Sequence, residues 1–297
     1  MELRVLHYFL AVAREQSISA AAQSLHLTQP TLSTQLKALE EELGKQLLVR
    51  GTKGSRKVTL TEEGMILRKR AEEILTLVNK AEEEIAHSDD TVVGTVSIGA
   101  GETDIVRYFA KAARTLQKRY PDIRYQISSG NAEYVLEYLD KGLIDFGLIF
   151  GEVDQRKYQS LPLPAKDTWG VLMRRDSPLA EKEAITPQDL WDKPLLLSHQ
   201  RGGSGALFRW LKRDASQLNV VATYNLVYNA SLLVDEGLGY ALTLDKLIHT
   251  EGTDMCFRPL SPGMEATAAI VWKKYQVFTK AADTFLRCLK EQLPQES

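Results

Sequence analysis

Gln29, Ser33 and Lys37 recur at i, i+4 and i+8, with Pro30, Thr31 and Thr34 beside them. On a helix this spacing places amides, hydroxyls and one cation on a single face. Amide and hydroxyl side chains read base edges in a DNA major groove, and Lys or Arg contacts phosphate. The chemistry on offer is hydrogen bonding to a polyanion. On spacing alone, the solvated side of an ordinary amphipathic helix explains it equally well. Four cations follow on R-G-T-K-G-S-R-K: Arg50, Lys53, Arg56 and Lys57. Alone, they suit a solvated turn; next to the polar face, they suit a strand pair gripping a phosphate backbone.

Groups for bond-making are scarce. The five His are scattered, and H-E-x-x-H, G-x-S-x-G and paired Cys spacings are absent. Asp145 and Glu152 lie near a strand end, where isolated carboxylates are common. Cys256 and Cys288 are too widely spaced for a disulfide framework or a metal cluster. R-G-G-S-G at 201–205 lacks the Lys and the spacing of a phosphate loop and reads as a flexible turn. No enzyme, metal or cofactor is expected.

Several elements must position the polar face. Residues 3–15 read as a first helix, with Leu6, Phe9, Leu10 and Ala13 on one side. Ser19 is a cap for a helix from Ala20 to about Leu25, whose alanines allow close approach. Leu25 and Leu27 flank His26 and point into a small core. Thr28 caps the next helix, and Pro30 sits in its first turn. Leu32, Leu36, Leu39 and Leu43 form the apolar stripe, and Gly44 ends it. The basic segment then reads as a hairpin beside the polar helix, a wing.

Thr61 caps a long helix with Glu62 and Glu63 in its first turn. Along it Leu67, Ala71, Ile74, Val78, Ala81 and Ile85 make a heptad seam. A second copy of the chain is the simplest partner for that seam, presenting two reading helices to two half-sites. Residues 87–91, H-S-D-D-T, read as a hinge.

The chain has 297 residues with 44% apolar content and a net charge of −2. Residues 1–60 are net +3, residues 61–90 net −5, and the remainder neutral. A basic head on a neutral body points to a polyanion partner. No apolar run reaches the roughly 18 residues of a membrane span, and no signal peptide is indicated; a cytoplasmic location is expected. Strands and helices alternate beyond residue 91. Strands are read in V-G-T-V-S-I-G-A, I-R-Y-Q-I-S, L-I-D-F-G-L-I-F, W-G-V-L-M-R, L-L-L-S, N-V-V-A-T-Y, G-Y-A-L-T-L and M-E-A-T-A-A-I-V-W-K. Helices are read at 104–119, 132–141, 206–214, 231–236 and 278–293. The pattern implies an α/β body of two lobes, crossed near 160–168 and again near 264–270.

F-L-A-V-A, S-x-S-A-A-A, S-L-H-L-T-Q-P-T-L-S, L-x-x-L-E-E-E-L-G and V-T-L-T-E-E-G stand in order between residues 6 and 64. With this series the chain resembles the LysR-type transcriptional regulators over its whole length. The resemblance implies a multidomain protein. It has an N-terminal all-α winged helix-turn-helix (1–60) and a long dimerising linker helix (61–90). A two-lobed α/β effector domain similar to periplasmic binding proteins follows (91–297). Lobe I is expected at about 91–162 and 268–297, and lobe II at about 163–267. Double-stranded DNA, a small-molecule effector and a second copy are the implied partners. A tetramer stays open, and RNA polymerase is admitted as a further partner. The DNA-binding set is Ser19, Thr28, Gln29, Pro30, Thr31, Ser33, Thr34, Lys37, Arg50, Lys53, Arg56 and Lys57.

The resemblance also implies an effector cleft lined by loops at strand ends. Here these hold Gly101, Glu102, Thr103, Ser128, Ser129, Asn131, Phe150, Ser198, His199, Gln200, Tyr228 and Asn229. Several precede helices, whose free N–H groups attract carboxylates, so a polar metabolite bearing a carboxylate is expected. Three departures stand out. Thr34 occupies a position often basic in the family, and the segment from Arg50 to Val58 is about three residues longer than usual. G-A-G-E-T-D places Glu102 where the cleft opens. Glu102 has two readings: a partner for an amine on the ligand, or a residue turned to solvent or capping the next helix. A secreted solute-binding protein is disfavoured by the missing signal peptide and the basic head.

Overall fold

Helix α1 (Leu3–Glu15) forms where Leu6, Phe9 and Val12 recur every third residue, and all three are buried. The computed structural model describes residues 1–51, 57–86, 92–198 and 201–294. It divides into two units, Met1–Asp89 and Asp90–Ser297.

In the first unit, α2 (Ile18–Ser24) is capped by Ser17, whose hydroxyl accepts from the Ala20 N–H at 3.3 Å. The expected cap, Ser19, lies two residues further on, inside the helix and exposed. Ala21 and Ala22 are buried where α2 meets α1. His26 takes the left-handed conformation (φ 55°) that ends α2, and Leu27 N–H closes the turn onto the Ala22 carbonyl at 2.8 Å. This is the 6→1 bond that satisfies a helix end. Helix α3 (Gln29–Leu43) starts at Thr28, whose side chain accepts from Thr31 N–H, with Pro30 in its first turn. Leu32, Leu36 and Leu39 are buried, each stabilising the unit by roughly 1.5–3 kcal/mol. Leu43, expected on the same stripe, is exposed at the helix end.

Gly44 follows α3 in the left-handed conformation. Strands β1 (Leu48–Arg50) and β2 (Val58–Leu60) pair antiparallel. Glu40 fixes this hairpin to α3. One carboxylate oxygen accepts from the N–H groups of Leu47 and Leu48 at 2.8 and 3.0 Å. Helix α4 (Glu62–Ala86) is capped by Thr61, which accepts from Gly64 N–H at 3.0 Å and donates to the Gln46 carbonyl at 2.7 Å. Gly64 must be glycine, because a Cβ there would lie 2.2 Å from the Leu47 carbonyl oxygen. Leu67, Ala71 and Ile74 pack with Leu75 against Leu6 and Leu10 of α1. That half of the expected seam is therefore packed within the chain's own unit.

The second unit is one sheet path, β4-β3-β5-β11-β6-β9-β7-β8, with β10 on β6. Its first half holds β3 (Gly94–Ala100), β4 (Ile123–Ser129), β5 (Phe146–Phe150) and β11 (Glu265–Lys273). Helices α5 (Arg107–Arg119) and α10 (Lys280–Gln292) share a core with it around Phe109, Phe146 and Phe285. Helix α6 (Ala132–Asp140) belongs to a second cluster with Val135, Leu139 and Val271. The other half holds β6 (Tyr158–Arg174), β7 (Leu195–Ser198), β8 (Val220–Tyr224), β9 (Tyr240–Leu244) and β10 (Met255–Pro259). Helices α7 (Pro187–Leu190) and α8 (Arg201–Leu211) lie in one of its clusters, and α9 (Val227–Asp235) in another. Strand β6 is far longer than W-G-V-L-M-R suggested, and β10 was not foreseen. The first part of β6 pairs with β11 and its last part with β9 and β10. The β6–β11 register shifts between Thr267 and Ala269, opposite Pro162 and Pro164, because proline brings no N–H to a ladder.

Helices α8 and α9 begin earlier than expected. Residues 201–205, read as a turn, are the first turn of α8, and Tyr228 and Asn229, read as a loop, lie inside α9. Burial of Leu207 and Leu211, and of Val227, Ala230 and Val234, outweighs the weak helix propensity of Gly, Ser and Asn. The proposed hinge at 87–91 and the wing tip at 52–56 lie outside the described residues.

Ser17→Ala should weaken α2 by about 1 kcal/mol, seen as roughly fivefold faster hydrogen exchange of its amides. Ser19→Ala should leave that exchange unchanged; equal effects would place the cap wrongly.

Candidate nucleic-acid interface and ligand cavity

Burying one stripe of α3 leaves the other outside. Gln29, Pro30, Thr31, Thr34 and Lys37 are exposed and Ser33 half-buried. Thr28 is spent on its own helix, accepting from Thr31 N–H and sharing a 2.8 Å hydroxyl contact with Thr31. Ser19, Gln29 and Arg50 meet around a 320 Å³ depression with Ser17, Ile18, Gly51 and Val58. Arg50 reaches Glu40 at 3.5 Å, so the residue that staples the hairpin also steadies its first cation. Lys57 is exposed on the far strand side. Lys53 and Arg56 lie outside the described residues.

Along α4 the exposure changes with position. Ala71 is fully buried and Val78 half-buried, while Leu77, Ala81 and Ile85 are exposed, Ile85 at 76%. Leu77 was not in the expected seam. Its neighbours Glu73 and Arg70 pair at 2.7 Å, flanking an apolar strip with charge.

The second unit holds a cavity of 820 Å³. Of the expected residues, Gly101, Glu102, Asn131, Phe150 and Ser198 line it. Thr103 does not; it is buried and donates a very short hydrogen bond to the Asp167 carboxylate. Burial pushes the Asp167 carboxyl up, partly offset by that bond. Ser128, Ser129, Tyr228 and Asn229 are not part of the cavity lining. His199 and Gln200 lie outside the described residues. Asn131 caps α6, accepting from Tyr134 N–H at 2.8 Å.

Other walls were not foreseen. Tyr158 and Trp169 come from β6, Glu265 to Thr267 from the start of β11 with Met264 just before it, and Tyr224 from the end of β8 with Asn225 just after it. The β6–β11 ribbon lines the cavity with mid-strand side chains, so a search of loops passes over them. Tyr224 donates to the Leu242 carbonyl at 2.7 Å. Burial pushes its hydroxyl up to about 12, with the Glu102 charge adding to the rise against a bond from Thr243. Glu102 itself accepts from Val227 N–H at 2.6 Å, at the start of α9. It therefore caps a helix, as one reading had it, but a helix distant in sequence. Among the described residues, no group of three or more His, Cys, Asp or Glu is placed to hold a metal. No described helix is long and apolar enough to cross a membrane.

Residues 89–294 match the profile described as the LysR substrate binding domain, and residues 3–65 match the bacterial regulatory helix-turn-helix protein of the lysR family. The chain is 30% identical to the Hca operon transcriptional activator HcaR of Escherichia coli K12, over 99% of this chain and 98% of that one. It is 28% identical to YvbU of Bacillus subtilis, an HTH-type regulator, over 82% and 81% of the two chains. Among solved structures, full-length CbnR complexed with its target DNA shares the fold. Its TM-score is 0.76 at 20% identity, covering 98% of this chain and 99% of that chain. The chain belongs to the LysR family: it is a DNA-binding transcriptional regulator with an effector-binding domain, and not an enzyme.

Proposed function

We propose that α3 enters the major groove of an operator, where Gln29, Thr31, Ser33 and Thr34 meet base edges and Lys37 meets phosphate. The observation that carries this reading is the exposed polar face that begins at the Thr28 cap, opposite three buried leucines. Arg50 and Lys57, with Lys53 and Arg56 of the tip, hold the DNA backbone. Pro30 keeps the first turn of α3 rigid, and Ser19 borders the same depression as Gln29. The CbnR structure, captured with its target DNA, is consistent with such docking.

The working division is 1–60 for DNA binding, 61–90 for the linker and 91–297 for the effector domain. Its lobes are about 91–162 with 268–297, and about 163–267. The exposed strip of α4 pairs two copies, and two dimers assemble where operators are paired. The cavity takes a small polar metabolite. A carboxylate on it is supported by the starts of α6 and α8 near Asn131 and Ser198, since helix N-termini favour anions. Occupancy alters transcription from the bound operator, through RNA polymerase, in the cytoplasm.

Gln29→Ala should weaken binding to an operator selected from random-sequence duplexes by about 1–3 kcal/mol and relax sequence preference. Anisotropy titrations at several salt concentrations would read both this loss and the steep salt dependence expected of phosphate contacts. Unchanged affinity and specificity would misplace the reading helix. Val78→Asp with Ile85→Asp should yield monomers by sedimentation. A double variant that remains dimeric would remove the strip as the main contact.

A further inference from the structure

Helix α9 starts with nothing of its own to cap it. Leu226 stands at the N-cap and makes no side-chain hydrogen bond. The acceptor is Glu102, on the loop after β3, whose Oε2 accepts from Val227 N–H at 2.6 Å. Both residues line the 820 Å³ cavity. A ligand carboxylate would gain most from α9 at that free N–H, and the chain's own carboxylate already fills it.

The remaining lining has the same sign. Six further carboxylates face the cavity, against one cation, Lys157, among the described residues. Four are engaged: Glu137 with Lys141 at 2.5 Å, Asp140 with the Tyr158 hydroxyl at 2.8 Å, Asp154 with Arg156 at 2.9 Å and Glu265 with Lys166 at 2.7 Å. The other two, Glu133 and Glu152, have no hydrogen bond or ion pair among the described residues. Phe150 and Trp169 add aromatic faces to the same walls, and such faces attract cations.

We propose that Glu102 is a specificity-determining residue that makes the cavity select a ligand bearing a protonated amine. The proposal rests on the reading of this cavity as the effector site. The α9 helix start is closed to a ligand carboxylate, and any carboxylate on the effector is confined to the α6 and α8 ends. Glu102 has a second acceptor oxygen, so it receives an ammonium hydrogen bond without releasing α9. Charge-assisted pairs of this kind are the strong ones.

Three five-carbon probes separate the alternatives: pentane-1,5-diamine, 5-aminopentanoate and glutarate. Calorimetry on the full chain, supported by tryptophan fluorescence, should show both amines binding and glutarate not. Glu102→Gln keeps an oxygen to accept from Val227 N–H and removes the charge. It should weaken the amines by about tenfold or more, while the lost cap charge lowers the melting temperature of the unliganded protein only slightly. A merely structural Glu102 would lower the melting temperature and leave the amine affinity unchanged. Amines bound equally by wild type and E102Q, preference for glutarate, or no amine binding at about 10 mM would each overturn the assignment. Failure of the regulator reading would show separately, as wild-type protein that binds no operator.

Discussion

The first N–H groups of a helix have no partner inside it, and how each is supplied sets the geometry of both units. Ser17 and Thr28 supply α2 and α3, and Thr61 supplies α4 while also holding the Gln46 carbonyl. Each cap fixes where its helix begins, and so which residues turn outward. Because α3 begins at Gln29, the stripe through Leu32, Leu36 and Leu39 faces the core and Gln29 and Lys37 face solvent. A start one residue later would rotate the face by about 100°. Glu40 and Gly64 then lock the hairpin against this frame, one by its hydrogen bonds and the other by having no side chain.

In the second unit the same requirement is met locally at Asn131 and Thr279 but at long range for α9. Asp167, on the ribbon that joins the two halves of the sheet, holds Thr103. Thr103 is adjacent to Glu102, and Glu102 caps α9. Ribbon, loop and helix are thus linked through two hydrogen bonds made by adjacent residues. A ligand that draws on Glu102 acts at the middle of that series. The register shift in the β6–β11 ladder between Thr267 and Ala269 lies in the same ribbon.

The elements and the family were legible because they rest on repetition. The leucine stripe of α3, the alternation of strands and helices and the ordered N-terminal motifs all recur at known periods. Less legible were features that depend on which of two similar residues is used. Ser17 and Ser19 are equivalent candidates by type, and only the backbone shows that Ser17 reaches Ala20. Tyr228 and Asn229 look like loop residues until the burial of Val227 and Ala230 places them in a helix. Glu102 was recognisable as an unusual residue. Its partner was not, because Val227 contributes a backbone group and lies 125 positions away.

The seam on α4 shows how one repeat serves two surfaces. A heptad pattern specifies that apolar residues share a face and leaves open what covers it. Leu67 and Ala71 are covered by Leu6 and Leu10 of α1, and Leu75, outside the pattern, joins them. Past that point α1 has ended, and the apolar positions come to the surface as Leu77, Ala81 and Ile85. The strip open to a partner is therefore shorter than the repeat and is shifted toward its C-terminal half. Burying Leu67 and Ala71 within the chain anchors α4 before any partner arrives. A second copy then meets a helix whose orientation in its own unit is already set, so less ordering entropy is lost on association.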